Sequence, residues 1–175
     1  MLFPIFCVGQ EFVVNNGTDI RINPGCQVIF ADGGIRNEAG QLSNAGELVV
    51  EGNIMNNGLL SGGNTSGIYR VQNDIENNGT MQPGQSLFEL YGDDQFLRGS
   101  EQLNFYDLTL IGDGIKFMLQ NIETVGTLDL TDRELRAASN TVFHKNVDAA
   151  SVLSIHNEGF VSATVGGGLS RETNT

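Results

Sequence analysis

Short runs in which apolar and polar residues alternate cover most of the chain. Examples are residues 20–22, 28–30 and 48–50. Alternation with a period of two is typical of strands that bury one face, so these runs predict strands rather than helices. A five-residue pattern of apolar, any, Asn, any, Gly lies between several of the runs, at residues 13–17, 42–46, 54–58, 75–79 and 155–159.

The spacing of equivalent residues is the more informative signal. Three apolar pairs lie 20 residues apart: Ile22 and Leu42, Val28 and Leu48, and Phe30 and Val50. Two further pairs lie 19 residues apart: Ile35 and Ile54, and Asn37 and Asn56. Short strands that recur together at this interval predict an all-β fold, a single-stranded parallel β-helix (β-solenoid) with about 20 residues and three short strands per coil. Crossover chirality favours a right-handed coil. An antiparallel sandwich with Asn-Gly hairpins is the alternative.

Asn and Gly recur where the predicted coils bend. Equivalent Asn side chains in stacked coils can form a hydrogen-bonded ladder, and Gly can adopt a positive φ at a bend. The predicted corner ladder contains Asn37, Asn44, Asn56, Asn77, Gly46, Gly58 and Gly79. The Gly- and Ser-rich stretch 59–67 predicts a loop that replaces one strand of a coil.

The strand-like pattern of apolar and polar residues extends over residues 10–175 without a linker or a charge run. We therefore expect one continuous solenoid, with a looser second half from about residue 87. Residues 131–134 resemble a helix capping box, so a short helix over 131–138 is an alternative there. Leu128, Leu130 and Leu135 also fit the coil pattern.

Residues 1–9 are apolar, and the chain becomes polar at Gln10. This predicts the remnant of a secretory signal peptide, with small Cys7 and Gly9 before the cleavage point. A short buried first strand is the alternative. We therefore expect a protein that is secreted or held at the cell surface. Cys26 would then be a lone cysteine, buried as a small hydrophobe.

Composition excludes two classes of partner. With 9 Lys and Arg against 21 Asp and Glu, the formal charge is −12, whereas nucleic-acid binding needs a basic patch. The sequence holds no run of 18 apolar residues, so it predicts no membrane-spanning helix. The chain has no Trp and only 3 Tyr, which weakens the case for a sugar-binding surface built on aromatic residues.

Acidic residues give the sequence's weak candidates for chemistry. Asp93, Asp94 and Asp113 are Ca²⁺ candidates, although Asp beside Gly first indicates a turn. Other candidates for a lyase-type cluster are Asp129, Asp132, Arg98 and Lys116. The two histidines, His144 and His156, are too few and too far apart in sequence for a zinc site. We therefore expect no catalytic residue and no cofactor beyond loosely held Ca²⁺.

The repeats also carry a resemblance. The run from Val13 to Gly58, with its repeated Asn-Asn-Gly, resembles the start of solenoid-type surface proteins of Bacteroidota. The segments 97–105, 108–110, 126–130, 159–162 and 167–173 resemble the same family, and the pattern is more loosely similar to Asn-Gly-rich haemagglutinin repeats. The resemblance implies an exported protein with further modules and a C-terminal sorting domain for type IX secretion. We expect this chain to be the N-terminal part of such a protein.

Two functional hypotheses follow. The first is a non-catalytic, adhesin-like surface segment that forms a rigid stalk for downstream modules of the same chain. Its partners would be surface glycans or other cell-surface proteins. The second is a parallel β-helix that binds or cleaves polysaccharide.

Overall fold

In a computed structural model, which describes residues 12–63 and 66–173, the alternating runs form strands of a parallel β-solenoid. The chain makes about seven coils of roughly 21 residues each. The first ten strands are β1 (Phe12–Ile22), β2 (Gln27–Phe30), β3 (Gly34–Asn44), β4 (Glu47–Val50), β5 (Ile54–Asn56), β6 (Leu59–Ser61), β7 (Ile68–Val71), β8 (Ile75–Asn77), β9 (Thr80–Gln82) and β10 (Leu87–Leu90).

The stack continues with a further eleven strands. They are β11 (Gln95–Arg98), β12 (Leu103–Phe105), β13 (Asp107–Leu110), β14 (Ile115–Met118), β15 (Ile122–Thr124), β16 (Leu128–Asp129), β17 (Glu134–Ala138), β18 (Thr141–His144), β19 (Val152–Leu153), β20 (Phe160–Ala163) and β21 (Gly168–Arg171). Two short 3₁₀ segments, Ala149–Ser151 and Ile155–Asn157, flank β19.

The strands stack into three faces, each receiving about one strand per coil. Face 1 runs from the first halves of β1 and β3 through β5, β8, β11, β14, β17 and β20. Face 2 contains the second halves of β1 and β3, then β6 and β9, and the separate sheet β12, β15, β18 and β21. Face 3 contains β2, β4, β7, β10, β13, β16 and β19. Every strand pair in the described ranges is parallel, which excludes the antiparallel sandwich.

The core consists of stacked inward side chains, one or two from each strand of each coil. Leu48, Val50, Leu108 and Leu110 of face 3 are fully buried, as the period-two alternation predicts. Tyr69 lies in the same column, and its ring stacks on Phe88 with centroids 4.3 Å apart. Such burial of apolar area is the main stabilising term of the fold.

The spacings predicted the register correctly in most places. Val28 pairs with Leu48 and Ile35 with Ile54. The pairing of Ile22 with Leu42 was wrong, because Ile22 pairs with Asn44. The turn from face 2 to face 3 has four residues in the first coil, 23–26, and two in the next, 45–46. The sequence separation between stacked residues therefore changes within the coil.

Other local predictions need correction. Residues 59–61 form strand β6 on face 2, so the loop after it does not replace a strand. Residues 134–138 form strand β17, which rules out the short helix there. Cys26 is exposed, not buried. At residue 87, where we expected the solenoid to continue with a looser second half, β10 pairs with β7 on one side and β13 on the other. The signal-peptide prediction at residues 1–9 lies outside the described residues.

Candidate functional site

The corner between faces 1 and 2 holds a buried ladder of asparagine side chains. Asn15 Nδ2 donates to Asn37 Oδ1 at 2.8 Å, Asn37 Nδ2 to Asn56 Oδ1 at 2.9 Å, and Asn56 Nδ2 to Asn77 Oδ1 at 2.8 Å. The second amide proton of Asn56 is donated to the carbonyl oxygen of Thr80 in the next coil, at 3.0 Å. Asn37 and Asn56 therefore each bond both a side chain and a backbone carbonyl of the next coil. Satisfied buried amides of this kind fix the stacking register.

The ladder differs from the sequence-based assignment at its start and in one member. Asn15 begins it, although only the pattern at residues 13–17 pointed to this residue. It ends at Asn77, because Gly99 stands at the equivalent place in the next coil. Asn44 lies in a different corner, where its Nδ2 donates to Ile68 O at 2.8 Å and its Oδ1 accepts from Gly46 N. Asn44 and Gly46 are therefore part of a separate turn, from face 2 to face 3.

The corner glycines are required for a reason other than the predicted positive φ. Gly46, Gly58 and Gly79 all lie outside the positive-φ set. A Cβ on Gly58 would lie 2.7 Å from the carbonyl oxygen of Gly40 in the coil below, which is closer than real Cβ contacts. The coils approach so closely at these corners that a side chain on the glycine would push them apart.

A second ladder, exposed to solvent, runs beside the buried one. Asn57 Nδ2 donates to Glu38 Oε2 at 2.7 Å, and Asn78 Nδ2 donates to Asn57 Oδ1 at 3.2 Å. Asn78 Oδ1 in turn accepts from the backbone N of Ser100 at 2.9 Å. The Asn-Asn pairs at 56–57 and 77–78 thus each supply one buried and one exposed rung.

The corner between faces 3 and 1 is closed by buried polar side chains that the sequence analysis did not assign to this role. Lys116 is fully buried, and its Nζ donates to the carbonyl oxygens of Gly92, Asp93 and Asp113 at 2.6, 2.7 and 2.9 Å. Burial lowers the pKa of Lys116 to about 8, and the positive charge of Arg133 adds to this effect. At neutral pH the group is mainly an ammonium with all three N–H donors satisfied.

Gln95 occupies the position equivalent to Lys116 in the coil below. Its Nε2 donates to the carbonyl oxygens of Val71 at 3.0 Å and Asn73 at 2.6 Å, and its Oε1 accepts from Gly92 N. The side chains of both residues point into the solenoid, and each residue lies two positions before a buried apolar residue of the same strand. A polar residue in an inward position was the signal that could have identified them.

The three Ca²⁺ candidates, Asp93, Asp94 and Asp113, have hydrogen bonds within the protein and do not form a metal site. The carbonyl oxygens of Asp93 and Asp113 are already occupied by the Lys116 ammonium, and Asp94 Oδ1 accepts from Ile115 N at 2.8 Å. Nowhere in residues 12–63 and 66–173 do three or more His, Cys, Asp or Glu side chains form a group that could hold a metal ion.

The remaining lyase-type candidates are also dispersed. Arg98 binds Glu76 and Asp74, with N–O distances of 3.0 and 3.3 Å. Asp129 accepts from a backbone N–H two residues along the chain, and Asp132 pairs with its neighbour Arg133. Each of these charges belongs to a turn or to an ion-pair row on the surface.

Replacing Lys116 by Met should destabilise the protein by about 2 kcal/mol, because the methionine fills the space of the alkyl stem but leaves buried carbonyl oxygens without a donor. Urea unfolding measures the change. Lys145, the only other lysine, is partly exposed in ion pairs with Glu172 and Glu123. Lys145→Met should therefore cost much less stability than Lys116→Met. Equal losses for the two variants would contradict the capping role of Lys116.

His144 is buried at the next-to-last coil between two hydroxyl groups. Its Nδ1 lies 2.7 Å from Thr124 Oγ1 and its Nε2 2.6 Å from Ser151 Oγ. The Ser151 hydroxyl donates to the carbonyl oxygen of Asp148, so we assign the imidazole proton to Nε2. Burial, and to a smaller extent the charge of Arg171, lowers the pKa of His144 and keeps the ring neutral. The ring joins the turn 148–151 to the coil below and has no exposed nucleophile beside it.

The stability should fall as pH drops below about 6.5, the ordinary histidine pKa, because the unfolded chain then takes up a proton that folded His144 resists. The stabilisation from neutral His144 is complete above that pH and is lost as pH falls toward its lowered folded pKa. Thermal unfolding between pH 8 and pH 5 should show the stability gap between the parent and His144→Asn shrinking on acidification. His156→Asn, at an exposed position, should follow the parent throughout. A gap independent of pH would contradict the burial of a neutral imidazole.

No helix of the described residues is long and apolar enough to cross a membrane. Comparisons of the chain with protein-family models, with curated proteins and with solved structures find no match.

Proposed function

We propose that this chain is a non-catalytic, exported structural segment, adhesin-like in character, that forms a rigid β-solenoid stalk at the cell surface. It would hold downstream modules of the same protein away from the surface and present its faces to surface glycans or other cell-surface proteins. This proposal combines the fold with the sequence resemblance to exported solenoid proteins of Bacteroidota.

The observation that carries the proposal is that the buried polar side chains bind neighbouring coils and turns of the solenoid to one another. Asn37, Asn56, Asn77, Lys116 and His144 are all buried, and each binds a group in a neighbouring coil or turn. Such bonds stiffen a stack in which each coil contacts only its neighbours. A catalytic site would instead need polar groups that converge on a cleft.

The surface charges support the same role. Outward side chains form ion-pair rows along the stack, such as Arg70 with Glu47 at 2.9 Å and with Glu89 at 3.1 Å. Rows of this kind link three successive coils. They also place charge on the strands, as expected for a protein that stays soluble while displayed outside the cell.

Two measurements test the proposal. Antibody raised against the purified chain should label intact cells of the source organism, and incubation of the chain with a panel of polysaccharides should release no new reducing or unsaturated ends. Labelling only after cell lysis would contradict the surface location. Turnover of any polysaccharide would favour the alternative, a polysaccharide-cleaving β-helix, and would overturn the structural role.

A further inference from the structure

A shallow groove on face 2 is lined by three carboxamide side chains and one phenyl ring. The residues are Gln102, Gln120, Asn121 and Phe143, and the groove has a volume of about 230 Å³. Gln102 and Asn121 directly precede strands β12 and β15, which pair in register from Leu103 and Ile122. The two carboxamides therefore stand one above the other in successive coils, roughly 4.8 Å apart.

The hydrogen-bonding capacity of this groove is only partly used within the protein. Asn121 Oδ1 accepts from the backbone N of Thr141 at 2.8 Å, which fixes the side chain and directs its amide nitrogen away from that bond. Gln120 Nε2 is buried and has no hydrogen-bond partner among the described residues. A buried donor without an acceptor is unfavourable, so a ligand oxygen in the groove favours a Gln120 rotamer that turns this amide outward to meet it.

The fourth side of the groove is apolar. Phe143 points outward from β18, in register with Glu123 of β15, and its ring is half-buried. The nearby acidic charge is partly offset by Lys145, whose Nζ lies 3.9 Å from Glu123 Oε2. With a formal charge of −12 on the whole chain, the groove offers nothing that would attract an anion.

We propose that this groove is a binding subsite for neutral saccharides. A pyranose ring presents hydroxyl groups that both accept from and donate to carboxamides, and its C–H face packs on an aromatic ring. Carboxamides in successive coils meet hydroxyls of neighbouring positions along a glycan laid parallel to the solenoid axis. The Gln120 amide, which has no acceptor in the free protein, turns outward and donates to a hydroxyl oxygen of the glycan. This subsite rests on the proposed function and deepens it, because it names neutral glycans as the partner of one groove on face 2.

The test is a two-dimensional ¹⁵N NMR titration of the full chain, followed through the side-chain amide signals. The probes are xylohexaose, cellohexaose, laminarihexaose and mannohexaose at millimolar concentration, with trigalacturonate as the acidic comparison. At least one neutral hexasaccharide should shift the Gln120 and Asn121 amide signals. Gln102→Ala should weaken that binding about three- to tenfold, the effect of one lost hydrogen bond, and Phe143→Ala by about tenfold.

Gln72→Ala is the matched control, because Gln72 is also exposed but lies outside the groove. It should keep the affinity of the parent, and Gln102→Ala should keep the parent's thermal stability because Gln102 is exposed. The proposal is overturned if no neutral hexasaccharide shifts these signals, if only trigalacturonate does, or if Gln102→Ala binds as tightly as the parent. None of those results would bear on surface display, which the antibody labelling tests separately.

Discussion

Replacing Asn56 by Asp should destabilise the protein by about 4 kcal/mol at neutral pH, although the two side chains have nearly the same shape. Asn56 Nδ2 donates to Asn77 Oδ1 and to the carbonyl oxygen of Thr80, and the residue is fully buried. A carboxylate would place a charged oxygen against these two oxygens. Two acceptors would lose their donor, and a negative charge would be buried without a positively charged partner, with only the Asn37 amide donating to it.

Urea unfolding of the Asn56→Asp variant at pH 7 measures this loss. Asn73→Asp introduces the same chemical change at an exposed position one coil away and should cost less than about 0.5 kcal/mol. Part of the loss at Asn56 should be recovered below about pH 4, since a protonated carboxyl can again donate one hydrogen bond. If the two variants lose similar stability, Asn56 is not a buried rung.

Replacing Gly79 by Ala should cost about 3 kcal/mol, because the coils leave no room for a side chain at this corner. The added Cβ would meet the carbonyl oxygen of Gly58 and lie 2.6 Å from the carbonyl carbon of Asn57. Both are backbone atoms of the coil below, which is held in place by its own ladder bonds. The strain can be relieved only by moving one coil away from the other.

Gly25→Ala is the comparison variant, because it tests the cost of backbone strain without a close approach between coils. Gly25 has φ +76°, and a Cβ there would meet nothing within 4 Å. Its replacement should therefore cost only about 1 kcal/mol, the penalty of a left-handed conformation for a residue with a side chain. Thermal unfolding compares the two variants. A loss at Gly79 no greater than the loss at Gly25 would contradict the close packing of the corner.

The fold could be predicted from the sequence because the solenoid repeats its environment once per coil. Apolar residues at intervals of 19 and 20 indicated the stacking of Val28 on Leu48 and of Ile35 on Ile54, and both pairings are present. The interval does not reveal how many residues each turn takes. Ile22 was paired with the wrong residue for this reason, since the turn after it is two residues longer than in the next coil.

The corners were less predictable than the strands. Asn44 belongs to the same five-residue pattern as Asn56, yet the two lie in different corners. The pattern indicates that the chain bends there, but it does not indicate which corner of the coil the bend forms. From the sequence, Lys116 is only a candidate base of a lyase-type cluster, since charged residues are rarely buried unless all their donors are satisfied. Its three carbonyl partners lie in two successive turns, and no spacing in the sequence shows that they converge.

The central claim is that the asparagine ladder is a buried, hydrogen-bonded element that joins the coils. Hydrogen exchange of the Asn56 side-chain amide, followed by NMR, tests it most directly. The amide protons should exchange as slowly as the backbone N–H groups of the neighbouring core strands, and therefore only through global unfolding. Exchange as fast as that of the exposed Asn73 amide would contradict the claim.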